Sequence, residues 1–186
     1  MPRLFLAIRI PPTPPIAALI ERLSQMRGVA GVAPENVHVT LRFLGDVDDV
    51  QKQALLRLLA QAEMEGPPFE ATIQGIGTFP AKGRPRVVWL GVDEAAGARM
   101  IRLAHAVDAF ADEVGLGPRD KAFRPHLTVA RVKRVEGRGT DELAEAIEQE
   151  AGRVYATTRV DRVVLVESHL SAAGPTYADL VEVPLG

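Results

Sequence analysis

The run from Phe123 to Arg131, FRPHLTVAR, alternates between polar and apolar side chains so regularly that it predicts a half-buried β-strand. Successive side chains of a strand point to opposite faces. Arg124, His126 and Thr128 therefore share one face, and Phe123, Pro125, Leu127 and Val129 share the other. The apolar face needs a core to cover it. The polar face carries a guanidinium, an imidazole and a hydroxyl about 7 Å apart at strand rise, a set suited to gripping a small anion such as phosphate.

The pattern occurs twice. Asn36 to Leu44, NVHVTLRFL, alternates in the same way, with His38, Thr40 and Arg42 on one face and Val37, Val39, Leu41 and Phe43 on the other. The chain has four histidines, and two of them head a His-x-Thr strand. One half-buried strand histidine is ordinarily a residue bonded to backbone. Two in matching contexts point to chemistry.

His38-Val39-Thr40-Leu41 and His126-Leu127-Thr128-Val129 resemble the paired HxTx motifs of the two-histidine phosphoesterases. Their flanks, LRFLG and FRPHLTVAR, are similar to those of the bacterial RNA 2',3'-cyclic phosphodiesterases, formerly called 2'-5' RNA ligases. The resemblance extends to RLFLAI at Arg3 to Ile8, to RVVWLGV at Arg86 to Val92, and to the closing pattern Ser168, Leu170, Gly174, Tyr177, Leu180. Val129 stands where a Leu often closes the second motif, an apolar exchange.

The chain's 186 residues, 47% hydrophobic and 25% charged, suit one globular domain over residues 1–186 with a sizeable core. With no cysteine there are no disulfides, thiolate metal sites or Cys nucleophiles, which fits a cytoplasmic location. The opening MPRLFLAIRIPP has too short an apolar run, interrupted by Arg, for a signal peptide or membrane span, and reads as a first strand. A net charge of -2 argues against a constitutive binder of long nucleic acid. Basic residues nevertheless gather around the second motif, at Arg119, Lys121, Arg124, Arg131, Lys133, Arg134 and Arg138, and the outer ones read equally well as a solvated face.

Along the chain, Thr13 and the following prolines start a helix with apolar spacing at Ile16, Leu19, Ile20 and Leu23. Asp46, Asp48 and Asp49 precede a second helix, from about Val50 to Met64, and read as capping acids rather than a cation site. Phe69 to Phe79 and Arg86 to Val92 read as strands joined by a loop whose Lys82, Arg84 and Arg86 form an exposed tip, and Trp89 reads as core in preference to a base-stacking platform. A long helix spans about Ala95 to Val114 with Met100, Leu103, Val107, Phe110 and Val114 inward, leaving His105 to pair with Asp108 at the surface. A short helix from Thr140 or Asp141 to about Ala151 and strands at Arg159 to Glu167 and Tyr177 to Val183, around the turn-rich SAAGPT, complete the chain. His169, in that turn region, reads as non-catalytic.

Pattern alone gives an α+β protein. A weak internal repeat, each half supplying a motif strand, a turn and a helix, suggests with the resemblance two pseudo-symmetric α/β lobes with antiparallel-rich sheets flanking a central cleft.

Two histidines, two threonines and an arginine suit acid-base chemistry at phosphorus. An ordinary imidazole pKa near 6.5 lets one ring be protonated while the other is neutral. Thr40, Thr128 and Arg124 would bind the phosphate oxygens, and no metal or other cofactor is expected. The residues leave the two histidine roles open. The resemblance implies the direction: His38 as proton donor to the leaving ribose oxygen and His126 as proton acceptor from water, opening 2',3'-cyclic phosphate ends of RNA or nucleotides to 2'-phosphates, with possible reverse 2'-5' ligation. The protein is expected to act as a monomer without membrane contact. Two alternatives are a non-catalytic RNA-end or nucleotide-binding module on the same fold, which would keep affinity without one histidine, and a metal-dependent phosphodiesterase, which chelation would silence.

Overall fold

The computed structural model describes residues 1–133, 138–171 and 174–186. In chain order the elements are β1 (Arg3–Arg9), α1 (Pro14–Ser24), β2 (Val29–Gly31), β3 (His38–Asp46), α2 (Asp49–Leu59), β4 (Phe69–Phe79), β5 (Val87–Val92), α3 (Glu94–Glu113), β6 (Leu127–Val132), α4 (Arg138–Gln149), β7 (Val154–Val160), β8 (Arg162–Ser171) and β9 (Gly174–Pro184). The strands follow the order β7-β4-β5-β6-β3-β1-β8-β9, with β2 on β6. Every named pairing is antiparallel.

The two expected lobes are the halves of this path, β7-β4-β5-β6 and β3-β1-β8-β9. They meet where the two motif strands lie side by side. Between β3 and β6 the ladder is one residue pair, Val39 opposite Leu127. Helices bind the halves together from behind, since α1 follows β1 yet packs on β2, β6 and β7, while α3 packs on β3 and β4.

Leu4, Leu6 and Ile8 of β1 sit in the main core with Val39, Leu41, Leu127 and Val129, each at most 2% exposed. Phe5 and Ala7, on the opposite face, join Val164 and Val166 in a smaller cluster against Tyr177. A strand covered on both faces explains the unbroken RLFLAI, and each such Leu or Ile contributes about 2 kcal/mol by leaving water. In α1 the buried residues are Ile16, Leu19, Ile20 and Leu23, the stripe the spacing predicts. Asp48 closes a capping box with Gln51 at the start of α2, so at least this acid caps. Asp93 caps α3 through the Ala96 amide and also accepts from the Thr72 amide of β4 at 2.7 Å.

Three boundaries differ from the sequence expectation. The second helix stops at Leu59, and Met64 instead pairs with Leu185 in an isolated bridge. The strand expected from Arg159 is two strands, β7 on β4 and β8 on β1, because the chain passes between the halves of the sheet at Asp161. The closing turn is spanned by a hairpin of β8 and β9, with Ala172 and Ala173 outside the described residues.

Both motif strands carry the same irregularity. Against β1, Thr40 pairs with Ala7 and Arg42 with Leu6, so Leu41 is passed over. Against β5, Thr128 pairs with Trp89 and Ala130 with Val88, so Val129 is passed over. An extra residue in one strand puts two neighbours on the core side and reverses the alternation beyond them. Leu41 and Arg42 are both buried, as are Val129 and Ala130. Phe43 and Arg131 thereby return to the face that carries the histidines and threonines.

Candidate active site

His38 opens β3 after a 3-10 turn at Pro34–Asn36, and its Nδ1 lies 2.6 Å from the Asn36 carbonyl. His126 immediately precedes β6, and its Nδ1 lies 2.6 Å from the Arg124 carbonyl. A carbonyl only accepts, so Nδ1 is the donor in each ring and Nε2 faces away from the backbone. The halves of the molecule thus build the same device, an imidazole held by the carbonyl two residues before it.

Aromatic rings fix the planes of both imidazoles. Phe5 stacks on His38 at 4.9 Å, and Tyr177 meets it edge-on at 5.4 Å. Phe79 meets His126 edge-on at 5.0 Å and itself stacks on Trp89 at 5.3 Å. Trp89, read from sequence as core, is half-buried on the motif face, because its ladder partner is Thr128. Glycine is needed at position 77 for that arrangement, since a Cβ there would lie 2.3 Å from the indole.

Burial, first, and then the charges of Arg9, His126 and Arg131 lower the His38 pKa to about 4, although the Asn36 carbonyl acts the other way. The same interactions put His126, Arg9 and Arg131 within electrostatic range of His38. Arg9, the ladder neighbour of His38, donates from Nε to Asp179 at 3.0 Å and lies over the Tyr177 ring. Its Nη1 is buried without a hydrogen-bond partner among the described residues. Thr40 and Thr128 are half-buried on the motif face. Because Val39 pairs with Leu127, the two imidazoles and two threonines that flank that pair lie on one side of the sheet with cationic side chains near His38, a set suited to binding and proton transfer at a phosphate.

Several sequence assignments change. Arg42, expected beside His38 and Thr40, is 4% exposed on the other face, where it binds Asp108 of α3. Phe43, expected in the packing face, is 69% exposed and lies 5.8 Å from Phe5. Asp108 takes Arg42 and Arg119, so His105 does not have it as a partner. Arg124 is exposed and lies before β6, so strand alternation does not set its direction. Its described contact with His126 is through the backbone carbonyl. Lys82, Arg84 and Arg86 are exposed, as expected of a loop tip. His169 lies on β8, facing Glu167 at 3.8 Å. Arg134 and the Arg138 side chain, counted in the basic patch, lie outside the described residues.

Sequence reasoning passed over Arg9, Phe43, Tyr177 and Arg131 as contributors to this cleft. For two of them a signal was present: aligned on their histidines, HVTLRF and HLTVAR place Arg42 opposite Ala130 and Phe43 opposite Arg131. An alanine at the position of Arg42 argues against a matched cationic face.

The sequence pattern of the 2'-5' RNA ligase superfamily matches residues 11–172, a span that holds both motifs. The chain belongs to that superfamily. It is 35% identical over 180 residues to an RNA 2',3'-cyclic phosphodiesterase of Archaeoglobus fulgidus, covering 96% of this chain and 97% of the relative. Its fold matches the crystal structure of the Thermus thermophilus protein TT0787 with a TM-score of 0.72 at 31% identity, over 98% and 97% of the two chains. It also matches E. coli LigT complexed with 3'-AMP with a TM-score of 0.73 at 25% identity, over 100% and 99%. The resemblance carried by the HxTx motifs is thus a membership, and the α+β fold with paired halves is that of the superfamily.

Proposed function

We propose that this protein hydrolyses RNA 2',3'-cyclic phosphate ends to 2'-phosphates, with His38 and His126 as its acid-base pair. The observation that carries the proposal is the duplicated geometry: each imidazole is held at Nδ1 by the carbonyl two residues before it and is followed two residues later by a threonine on a motif strand. Relatives over nearly the whole chain with this named activity supply the substrate class.

In the reaction, Nε2 of His126 takes a proton from water as the water oxygen bonds to phosphorus. The bond from phosphorus to the ribose 3'-oxygen breaks, and His38 donates the proton that oxygen needs, leaving a 2'-phosphate and a 3'-hydroxyl. Thr40 and Thr128 donate to the non-bridging oxygens, while Arg131 and Arg124 oppose the charge that builds on them. At neutral pH the free protein holds His38 unprotonated. The substrate anion offsets Arg9 and Arg131, raises the His38 pKa and so charges the donor as it binds. Phe43, exposed on the same face, offers the terminal base a ring to stack on.

A ribose 5'-hydroxyl in place of water, with the same two imidazoles, gives the 2'-5' linkage as the bond to the 3'-oxygen breaks, so ligation uses the same site with a different nucleophile. The protein acts as a monomer in the cytoplasm, on RNA ends or nucleotides. Among the described residues no helix is long and apolar enough to cross a membrane. The test is incubation with a defined oligonucleotide ending in a 2',3'-cyclic phosphate, with the product's phosphate position read by ³¹P NMR. A 2'-phosphate is expected. Binding without turnover, or a 3'-phosphate product, overturns the proposal.

A further inference from the structure

The two histidine strands run side by side with only Val39 and Leu127 paired between them, so backbone hydrogen bonds set their separation weakly. A charged cluster behind the sheet spans the same seam. Asp108, on α3, accepts from Nη1 of Arg42, the residue just past the β3 bulge. It also accepts from Nε and Nη2 of Arg119, at 2.7 and 2.8 Å. The two arginines then cross over. Arg42 Nη2 donates to the carbonyl of Gly117, in the segment leading to the second motif. Arg119, in that segment, donates from Nη1 at 3.3 Å to the carbonyl of Leu41, the bulge residue next to Thr40. Arg119 Nη2 also reaches the Ala104 carbonyl of α3 at 2.9 Å, and its guanidinium lies 6.0 Å from the Phe123 ring, next to the Arg124 carbonyl that holds His126.

We infer that Asp108 is a positioning residue. Through Arg42 and Arg119 it fixes the first motif strand and the approach to the second at one carboxylate, and so sets how far apart the two histidines stand. The inference rests on the proposed acid-base pairing of His38 and His126. None of the three side chains touches the substrate. Two histidines serving one phosphate must hold their spacing closely, and a displacement of about 1 Å can cost on the order of 10² in rate.

The test compares wild type, Asp108→Asn and the triple variant Arg42→Met, Asp108→Leu, Arg119→Met. The triple variant removes the cluster without stranding a buried charge, and such apolar replacements commonly preserve stability. Two readouts are used: turnover of the cyclic-phosphate oligonucleotide per folded molecule, and NMR of the His38 and His126 ring protons during titration with inorganic phosphate. The expected result is a fall in kcat of about 10- to 100-fold in both variants with KM changed less than about threefold. Phosphate should shift both histidines together in wild type and no longer do so in the variants. Wild-type kcat per folded molecule in either variant, with both rings still moving together, would overturn the inference. If the triple variant does not fold, Asp108→Asn below its own Tm gives the same two readings. Absence of turnover in wild type would instead sink the functional proposal, and the phosphate titration would still decide the positioning role.

Discussion

Lowering the pH from 7.5 to 5 should destabilise the folded protein through His38. Burial and the neighbouring charges of Arg9, His126 and Arg131 hold this imidazole at about 4 against an ordinary 6.5. The folded state therefore binds the proton less tightly than the unfolded chain does, and protonation favours unfolding. The stabilising contribution is complete above about pH 6.5, declines as the pH falls through the window, and is gone below about pH 4. A shift of this size is worth about 3 kcal/mol in total, of which about 2 kcal/mol is lost between pH 7.5 and 5. Urea unfolding of wild type and His38→Gln at both pH values isolates the effect, because glutamine cannot take the proton while the carboxylates of the rest of the chain titrate alike in both. Wild type should lose about 2 kcal/mol more than the variant on acidification. Losses equal within about 0.5 kcal/mol, well below that expectation, or an NMR midpoint for His38 above pH 6, would refute the account. Inorganic phosphate, as an anion in the cleft, should raise that midpoint and flatten the difference.

His38→Ala and His126→Ala should each lower turnover of the cyclic phosphate by on the order of 10² to 10⁴, while His105→Ala and His169→Ala leave it unchanged; equal need for a helix or hairpin histidine would break the assignment. A substrate whose leaving group needs no proton should restore much of the activity of His38→Ala and little of that of His126→Ala, and equal rescue would reverse or abolish the proposed roles. Arg131→Met should reduce kcat/KM by roughly 10- to 100-fold with little change in Tm, since the side chain is exposed yet close enough to bear on His38; a silent variant would remove it from the site. Activity should survive EDTA, because the described residues gather no three His, Cys, Asp or Glu side chains able to hold a metal ion, and loss that one added metal restores would contradict this.

The sequence by itself specified the two motif strands, the placement of His38 with Thr40 and His126 with Thr128, the apolar stripes of α1 and α3, and, through the motif contexts, the superfamily. These are local properties. Periods of 2 and 3.6, capping residues and a repeated tripeptide are written in neighbouring residues and need no knowledge of what packs against them. Trp89 and Asp108 were beyond that reach because their surroundings come from distant parts of the chain, and Arg42 and Phe43 were signalled only by setting one motif against the other. Whether Arg42 faces the cleft or α3 turns on one residue, Leu41, that the ladder with β1 passes over, and nothing in NVHVTLRFL announces the bulge. Trp89 joins the motif face because β5 lies beside β6. Asp108 binds two arginines because α3 packs behind β3 and Arg119 returns to the same place. The depressed pKa of His38 arises in the same way, from a ring of this motif enclosed by Phe5, Tyr177, Arg9 and Arg131, which belong to β1, β9 and β6. The sequence supplied the proposed acid-base pair, and tertiary packing decided the depressed pKa of His38 and which residues surround it, because desolvation and field depend on atoms close in space and remote in the chain.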